Sequence, residues 1–169
     1  MRFVSLIVFM GYILLTPATA LATAQIPELL VYEGKEEAMF SCPEIPESNS
    51  RVRVLSEEEF HGKIADETIN PIISSTACWR QYFGSWEIKD KGLFLISITG
   101  RLELAGEGPL FADWFSGALR IPKGEQLEYV HMGFESVYEE DLIIYVENGV
   151  VTNTEIIDNR KKQHGGADI

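Results

Sequence analysis

Residues 142–156 read LIIYVENGVVTNTEI, two runs rich in β-branched residues on either side of Asn148-Gly149. Asn-Gly between such runs is the strongest short hairpin signal, because a type I′ turn needs positive φ at both central residues. The segment therefore predicts a β-hairpin near the C-terminus, and it favours an all-β interpretation of the chain around it.

A second hairpin is predicted in the centre of the chain. In residues 80–88, alternate positions from Tyr82 to Ile88 fall on one face and carry apolar side chains or glycine, as a half-buried strand requires. A turn follows, in which Gly92 can take positive φ at little cost. The return strand, 93–98, reads LFLISI and is apolar on both faces, which is typical of a central strand.

The rest of the chain shows short strands and few helix signals. Ser56 and Glu59 form a capping-box pattern that predicts the start of a helix. Gly62 and Asn70-Pro71 are expected to keep this helix short. The remaining strands are predicted at 29–32, 38–42, 51–55, 101–104, 115–121 and 127–132, with turns at 33–35 and 122–125. This pattern predicts an all-β fold, an antiparallel β-sandwich or barrel with at most one short helix.

The N-terminus has the three parts of a secretory signal. Arg2 is followed by 13 uncharged residues, FVSLIVFMGYILL, and then by two small-x-small triplets that end at Ala20 and Ala24. The apolar run is shorter than the ~20 residues that a membrane-spanning helix needs. We expect residues 1–24 to be a signal peptide cleaved before Gln25, with cleavage before Leu21 or an uncleaved anchor as the alternatives.

Export implies a simple organisation for the mature chain. Residues 25–159 are expected to form a single β-rich domain, and the polar, glycine-bearing residues 160–169 a flexible C-terminal tail. The protein is expected in the periplasm or outside the cell, without stable membrane insertion once the signal is removed.

The net charge of the chain indicates which classes of partner it is expected to bind. The formal net charge is −12, from 14 basic and 26 acidic side chains. Nucleic acids and anionic membranes are bound through Lys and Arg that meet phosphates, so neither is an expected partner. A cationic protein partner is compatible with this charge, which also serves solubility.

The two cysteines, Cys42 and Cys78, both lie in the mature part of the chain. Two cysteines in an exported chain predict one disulfide. The bridge would tie the N-terminal segment to the central strand that follows Trp79.

Motifs for catalysis, metals and cofactors are absent from the sequence. Gly-x-Ser-x-Gly, His-Glu-x-x-His and a calcium loop do not occur, so no catalytic residue, metal or cofactor is assigned. Glu87, between Trp86 and Ile88, and His131, in a strand-like run, are the residues considered for a small envelope hydrolase. Glu87 is expected instead to be solvated or paired with Arg80 or Lys89.

Aromatic residues give the remaining signal for binding. Buried aromatics dominate protein cores, but exposed tryptophan and tyrosine also form interface hot spots and ligand platforms. The segment 106–114, GEGPLFADW, is expected to form a loop at the lip of such a platform. The candidate ligand- or partner-binding residues are Trp79, Tyr82, Trp86, Phe111 and Trp114.

The stretch 75–90, STACWRQYFGSWEIKD, resembles a pattern in small uncharacterised bacterial all-β proteins. The shared features are an aromatic-Gly strand, then Trp-Glu-Ile, a basic residue, Asp and a Leu-rich return strand. This resemblance carries no activity with it. The sequence thus predicts an exported, acidic, non-enzymatic binding or interaction module, with a small hydrolase or a β-barrel holding a small apolar ligand as the alternatives.

Overall fold

The computed structural model describes residues 23–160. The first 22 residues of the predicted signal peptide and residues 161–169 of the predicted tail lie outside this range. Within it, no helix is long and apolar enough to cross a membrane.

The described chain is built mainly from strands, with one α-helix and two short 3-10 turns. The helix α1 spans Glu57–Ala65, and the 3-10 turns span Pro71–Ser74 and Thr76–Cys78. The strands are β1 (Glu28–Tyr32), β2 (Lys35–Met39), β3 (Val52–Val54), β4 (Tyr82–Lys89), β5 (Gly92–Gly100), β6 (Leu102–Leu104), β7 (Leu110–Phe111), β8 (Gly117–Glu128), β9 (Val137–Glu147) and β10 (Val150–Asp158).

The main sheet is mixed, which corrects the expectation of an antiparallel sandwich or barrel. Its strand order is β2-β1-β4-β5-β10-β9-β8, with β7 paired to β5, and β3 and β6 form a separate pair. β1 runs parallel to β4, with Leu30 opposite Trp86. Parallel neighbours need a long crossover, and the segment from β2 to β4, which carries α1, provides it. Residue alternation reports which face is buried but not strand direction, so the sequence pattern could not reveal this.

The two edges of the main sheet approach each other without forming a ladder. The Phe40 amide donates to the Arg120 carbonyl at 2.7 Å, and Lys123 Nζ lies 2.5 Å from Glu37 Oε1. The sheet therefore curls around its core but is not a closed barrel.

The core lies on the inner face of this curled sheet. The alternation predicted for residues 80–88 is confirmed, since Tyr82, Gly84 and Trp86 are buried and Trp86 is fully so. Burying an aromatic or branched aliphatic side chain contributes about 1.5–3 kcal/mol, so this cluster is the main stabilising feature of the fold. Its other fully buried members include Leu30, Met39, Leu93, Leu95, Leu119, Ile121 and Ile144.

A smaller core lies under α1. Phe60 of the helix packs with Leu55, Ile69 and Ile73, and Phe83 of β4 packs against them. The predicted capping box is confirmed: the Glu59 amide donates to Ser56 Oγ, and the Ser56 amide donates to the Glu59 carboxylate. The helix is short, as predicted, although it runs through Gly62 to Ala65, because one helical glycine costs only about 1 kcal/mol and burial of Phe60 offsets it.

The hairpin turns follow the predictions in part. Asn148 and Gly149 take φ of 48° and 78°, which confirms the C-terminal hairpin. In the central hairpin Asp90 and Lys91, not Gly92, take positive φ, and Gly92 begins β5. The predicted turn at 122–125 is wrong, because this segment lies within β8 at a register irregularity.

Candidate functional site

A buried pair of opposite charges lies where β1 meets β4. Arg80 Nη2 is 3.4 Å from Glu28 Oε1, and the two side chains are 6% and 0% exposed. Glu28 opens β1 and Arg80 precedes β4, so the parallel pairing of these strands brings them together. Buried charges are rare unless paired, which makes this the most unusual polar feature of the fold.

Glu28 is held by two further donors from β4. Trp86 Nε1 donates to Glu28 Oε2 at 2.6 Å, and the Gly84 amide donates to Oε1 at 3.2 Å. Gly84 makes room for this arrangement, since a Cβ there would lie 2.6 Å from Trp86 Nε1 and 3.1 Å from Glu28 Oε2. Burial nevertheless raises the pKa of Glu28 to about 7, against the lowering effects of Arg80 and of the two hydrogen bonds.

Both cysteines belong to the same cluster. Cys42 follows β2, Cys78 ends the second 3-10 turn, and both carry free thiols, so the predicted disulfide is not formed in the structure. Burial raises the pKa of Cys42 to about 12, and the neighbouring Glu28 and Cys78 act in the same direction while Arg80 opposes them. Burial also raises the pKa of Cys78, whose Sγ lies 3.4 Å from the Tyr82 carbonyl oxygen. Arg80 lowers the pKa of both thiols, so both cysteines lie in the surroundings of its guanidinium.

A surface cavity of about 640 Å³ opens above this cluster, and we call it the Arg80 pocket. Its floor includes Arg80, whose guanidinium carbon lies 5.6 Å from the centre of the Tyr82 ring. Within the described part of the chain, Arg80 Nε is buried without a hydrogen-bond partner. The pocket is lined by Cys42, Glu44, Ile45, Glu47, Trp79, Arg80, Tyr82 and Leu102.

The mouth of the Arg80 pocket is aromatic and acidic. Trp79 is 72% exposed, and Glu44 and Glu47 are both exposed. The indole of Trp114 donates to the Glu44 carbonyl oxygen at 2.9 Å and so anchors the loop that carries both carboxylates. An exposed ring beside two carboxylates can hold a cation through its π-face and through ion pairing.

The five predicted aromatic residues do not form one surface. Trp79 and Tyr82 line the Arg80 pocket, and Trp114 adjoins it through Glu44, whereas Trp86 lies in the core. Phe111 lies elsewhere, with its ring 5.4 Å from that of Phe94, in a cavity of about 540 Å³ that we call the Phe111 cavity.

The residues considered for hydrolysis lie on different elements. Glu87 is half-buried on β4 and lines the Phe111 cavity, while Arg80, one of the two bases named as its possible partner, contacts Glu28. His131 Nδ1 lies 2.7 Å from the exposed Tyr129 hydroxyl, beyond the end of β8. The structure does not bring Glu87 and His131 together, and among residues 23–160 no cluster of His, Cys, Asp or Glu is arranged to hold a metal.

The pairing of Glu28 with Arg80 was not predicted from the sequence, although the alternation pattern could have indicated that Glu28 is buried. Glu28 is two residues before the buried Leu30, and Arg80 is two residues before the buried Tyr82. Period-2 alternation places Glu28 on the inner face of β1, whereas Arg80 lies in the turn before β4, where Gln81 takes φ of 60° and interrupts the alternation. A charge at an inward position of a strand is the signal for a buried pair.

The chain matches no protein-family model, and comparisons with curated proteins and with solved structures find no match either.

Proposed function

We propose that the chain is an exported, non-enzymatic binding module whose partner is a cationic protein. The observation that carries the proposal is the mouth of the Arg80 pocket, where an exposed tryptophan, Trp79, stands with the carboxylates of Glu44 and Glu47. Tryptophan is among the residues most enriched at binding hot spots.

The net charge supports the same class of partner. A chain with a formal charge of −12 attracts basic proteins at long range and repels polyanions. Complementary charge raises the rate of association more than the final affinity, so the pocket must supply the specific contacts.

Export fits the cysteine pair as well. We propose that Cys42 and Cys78 become a disulfide once the signal is removed outside the cytosol. A disulfide oxidant takes two electrons from the pair, each thiol loses its proton, and the oxidant leaves as two thiols. Neighbouring positions around Arg80 support this pairing.

Intact-mass analysis of exported protein tests export and oxidation together. After alkylation without reduction, the mass should begin at Gln25 and carry no alkyl group, whereas prior reduction should add two. Retention of Met1 would contradict removal of the signal, and two alkyl groups without reduction would contradict the disulfide.

Capture from an envelope extract tests the binding function. The mature chain should retain a basic protein at low salt and release it at high salt. Trp79→Ala should lose most of this retention, whereas the matched change Tyr129→Ala, at an exposed ring outside the pocket, should not. Absence of any basic protein at low salt would overturn the proposal.

Binding of a small apolar ligand is the second candidate function, and the Phe111 cavity favours it. Phe94, Phe111, Pro109 and Val150 give this cavity an apolar wall on the outer face of the sheet. Native mass spectrometry of gently purified protein would show a bound small molecule, which Phe111→Ala should remove. A spectrum with the bare chain alone would set this candidate aside.

A further inference from the structure

We infer that the Arg80 pocket receives one lysine or arginine side chain of the partner, together with a main-chain carbonyl oxygen beside it. This inference rests on the proposed function and specifies its chemistry: the ligand is a basic residue within a peptide chain, not a free cation.

The residues at the mouth of the Arg80 pocket favour a cationic group in the ligand. Glu44 and Glu47 contribute two exposed carboxylates, and Trp79 contributes an exposed π-face. A cation held against the face of a tryptophan is attracted by its π-system, and a carboxylate adds a charge-assisted hydrogen bond.

Arg80 at the floor of the pocket favours a carbonyl oxygen in the ligand. Arg80 is almost wholly buried, and its Nε–H has no acceptor among the described residues. A buried donor without a partner is destabilising, because it has given up its hydrogen bonds to water. A carbonyl oxygen that enters the pocket supplies the missing acceptor once the guanidinium turns towards it.

The charge balance excludes an anion as the preferred ligand. Above about pH 7, where Glu28 is ionised, it opposes the positive charge of Arg80 at 3.4 Å, and the two mouth carboxylates repel a second negative group. A neutral amide oxygen satisfies Arg80 without adding charge. The volume of about 640 Å³ fits one long side chain with its flanking peptide groups, within the usual range of small-ligand sites.

Titration of ¹⁵N-labelled mature protein with three small probes tests the inference. The probes are N-acetyl-lysine N-methylamide, the norleucine analogue that lacks the cation, and butylammonium, which lacks the carbonyls. The lysine amide should shift the indole N–H signal of Trp79 saturably and more than those of Trp86 and Trp114. It should also move the Arg80 Nε–H signal, and both other probes should bind at least fivefold more weakly.

Two double variants distinguish binding at the pocket from attraction by the net charge of the protein. Glu44→Gln with Glu47→Gln should weaken the lysine amide at least fivefold. Glu125→Gln with Glu128→Gln changes the net charge equally at exposed positions of β8 outside the pocket, and should leave binding within twofold of wild type. Equal binding of the lysine and norleucine amides, or an unmoved Trp79 signal, would overturn the inference.

The outcomes also separate this inference from the proposed function. If the extract still yields a salt-sensitive basic partner while the lysine amide does not bind, the inference fails and the function stands. If neither binds, both fail.

Discussion

Arg80 Nη2 lies 3.4 Å from Glu28 Oε1, with one side chain at the floor of a surface pocket and the other sealed in the core. The pair therefore joins the candidate site to the part of the protein that determines its stability. Its surroundings include both cysteines and the buried indole of Trp86, so a change in any of them alters the pocket floor.

The first prediction concerns the pH dependence of stability. Burial raises the pKa of Glu28 from 4.5 to about 7, so between these values the folded state holds a proton that the unfolded state has released. The contribution of Glu28 is therefore full below pH 4.5 and is lost as the pH rises through about 7. At ~1.4 kcal/mol per pH unit, the loss is about 3 kcal/mol.

Urea unfolding of the wild type and of Glu28→Gln at pH 4.5 and pH 8 measures this effect. The glutamine side chain of the variant cannot titrate, so the free energy of unfolding of the wild type relative to the variant should fall by up to about 3 kcal/mol between the two pH values. A difference in unfolding free energy that stays constant, or that rises with pH, would show that burial does not raise the pKa of Glu28.

The second prediction concerns the space at Gly84. A Cβ at Gly84 would overlap the buried Trp86 indole at 2.6 Å, so Gly84→Ala should destabilise the fold by about 1–3 kcal/mol. Gly62 in α1 is the matched control, because nothing lies within 4 Å of its Cβ position. Gly62→Ala should stabilise the protein by about 0.5–1 kcal/mol. Thermal unfolding of both variants checks the opposite signs, and two shifts of the same sign would count against the packing described for Trp86.

The sequence predicted local features better than their assembly. The capping box at Ser56 and the Asn148-Gly149 hairpin depend on neighbouring residues, and both are confirmed. The parallel pairing of β1 with β4 depends on a long crossover that no local pattern encodes.

The candidate site depends on that same pairing. Trp79, Tyr82 and Cys42 were named from the sequence. The charged residues Glu28 and Arg80, around which they lie, meet only across the parallel strands. Each looks ordinary alone in a chain with 26 acidic and 14 basic residues.

The third prediction concerns the reactivity of the thiols in reduced protein. A pKa raised from 9.0 to about 12 lowers the thiolate fraction of Cys42 at pH 8 by roughly a thousandfold, and the thiolate is the reactive form. In Cys78→Ser, where Cys42 is the remaining thiol, a disulfide reagent should react at least about tenfold more slowly with folded protein than with protein in urea, because the higher nucleophilicity of the more basic thiolate offsets only part of the loss. Equal rates in the two states would show that Cys42 is not shielded.

The fourth prediction concerns the C-terminal turn. Gly149 takes φ of 78°, and a Cβ there would lie 2.7 Å from the Ala112 carbonyl oxygen. Gly34 takes φ of 74° with nothing within 4 Å, so it isolates the cost of the left-handed backbone. Gly34→Ala should cost about 1–2 kcal/mol, and Gly149→Ala should cost at least about 1 kcal/mol more because of the overlap. Urea unfolding of the two variants compares them, and equal costs would remove the steric argument.

The most direct test of the proposed binding site is calorimetric titration of the purified basic partner at one fixed, low salt concentration. The titrated proteins are wild type, Glu44→Gln with Glu47→Gln, and Glu125→Gln with Glu128→Gln. A tenfold or greater loss of affinity in the first variant, with the second within twofold of wild type, is the result expected if the Arg80 pocket is the site. Equal affinities in both variants would contradict it, because binding would then follow the total charge or a surface elsewhere on the chain.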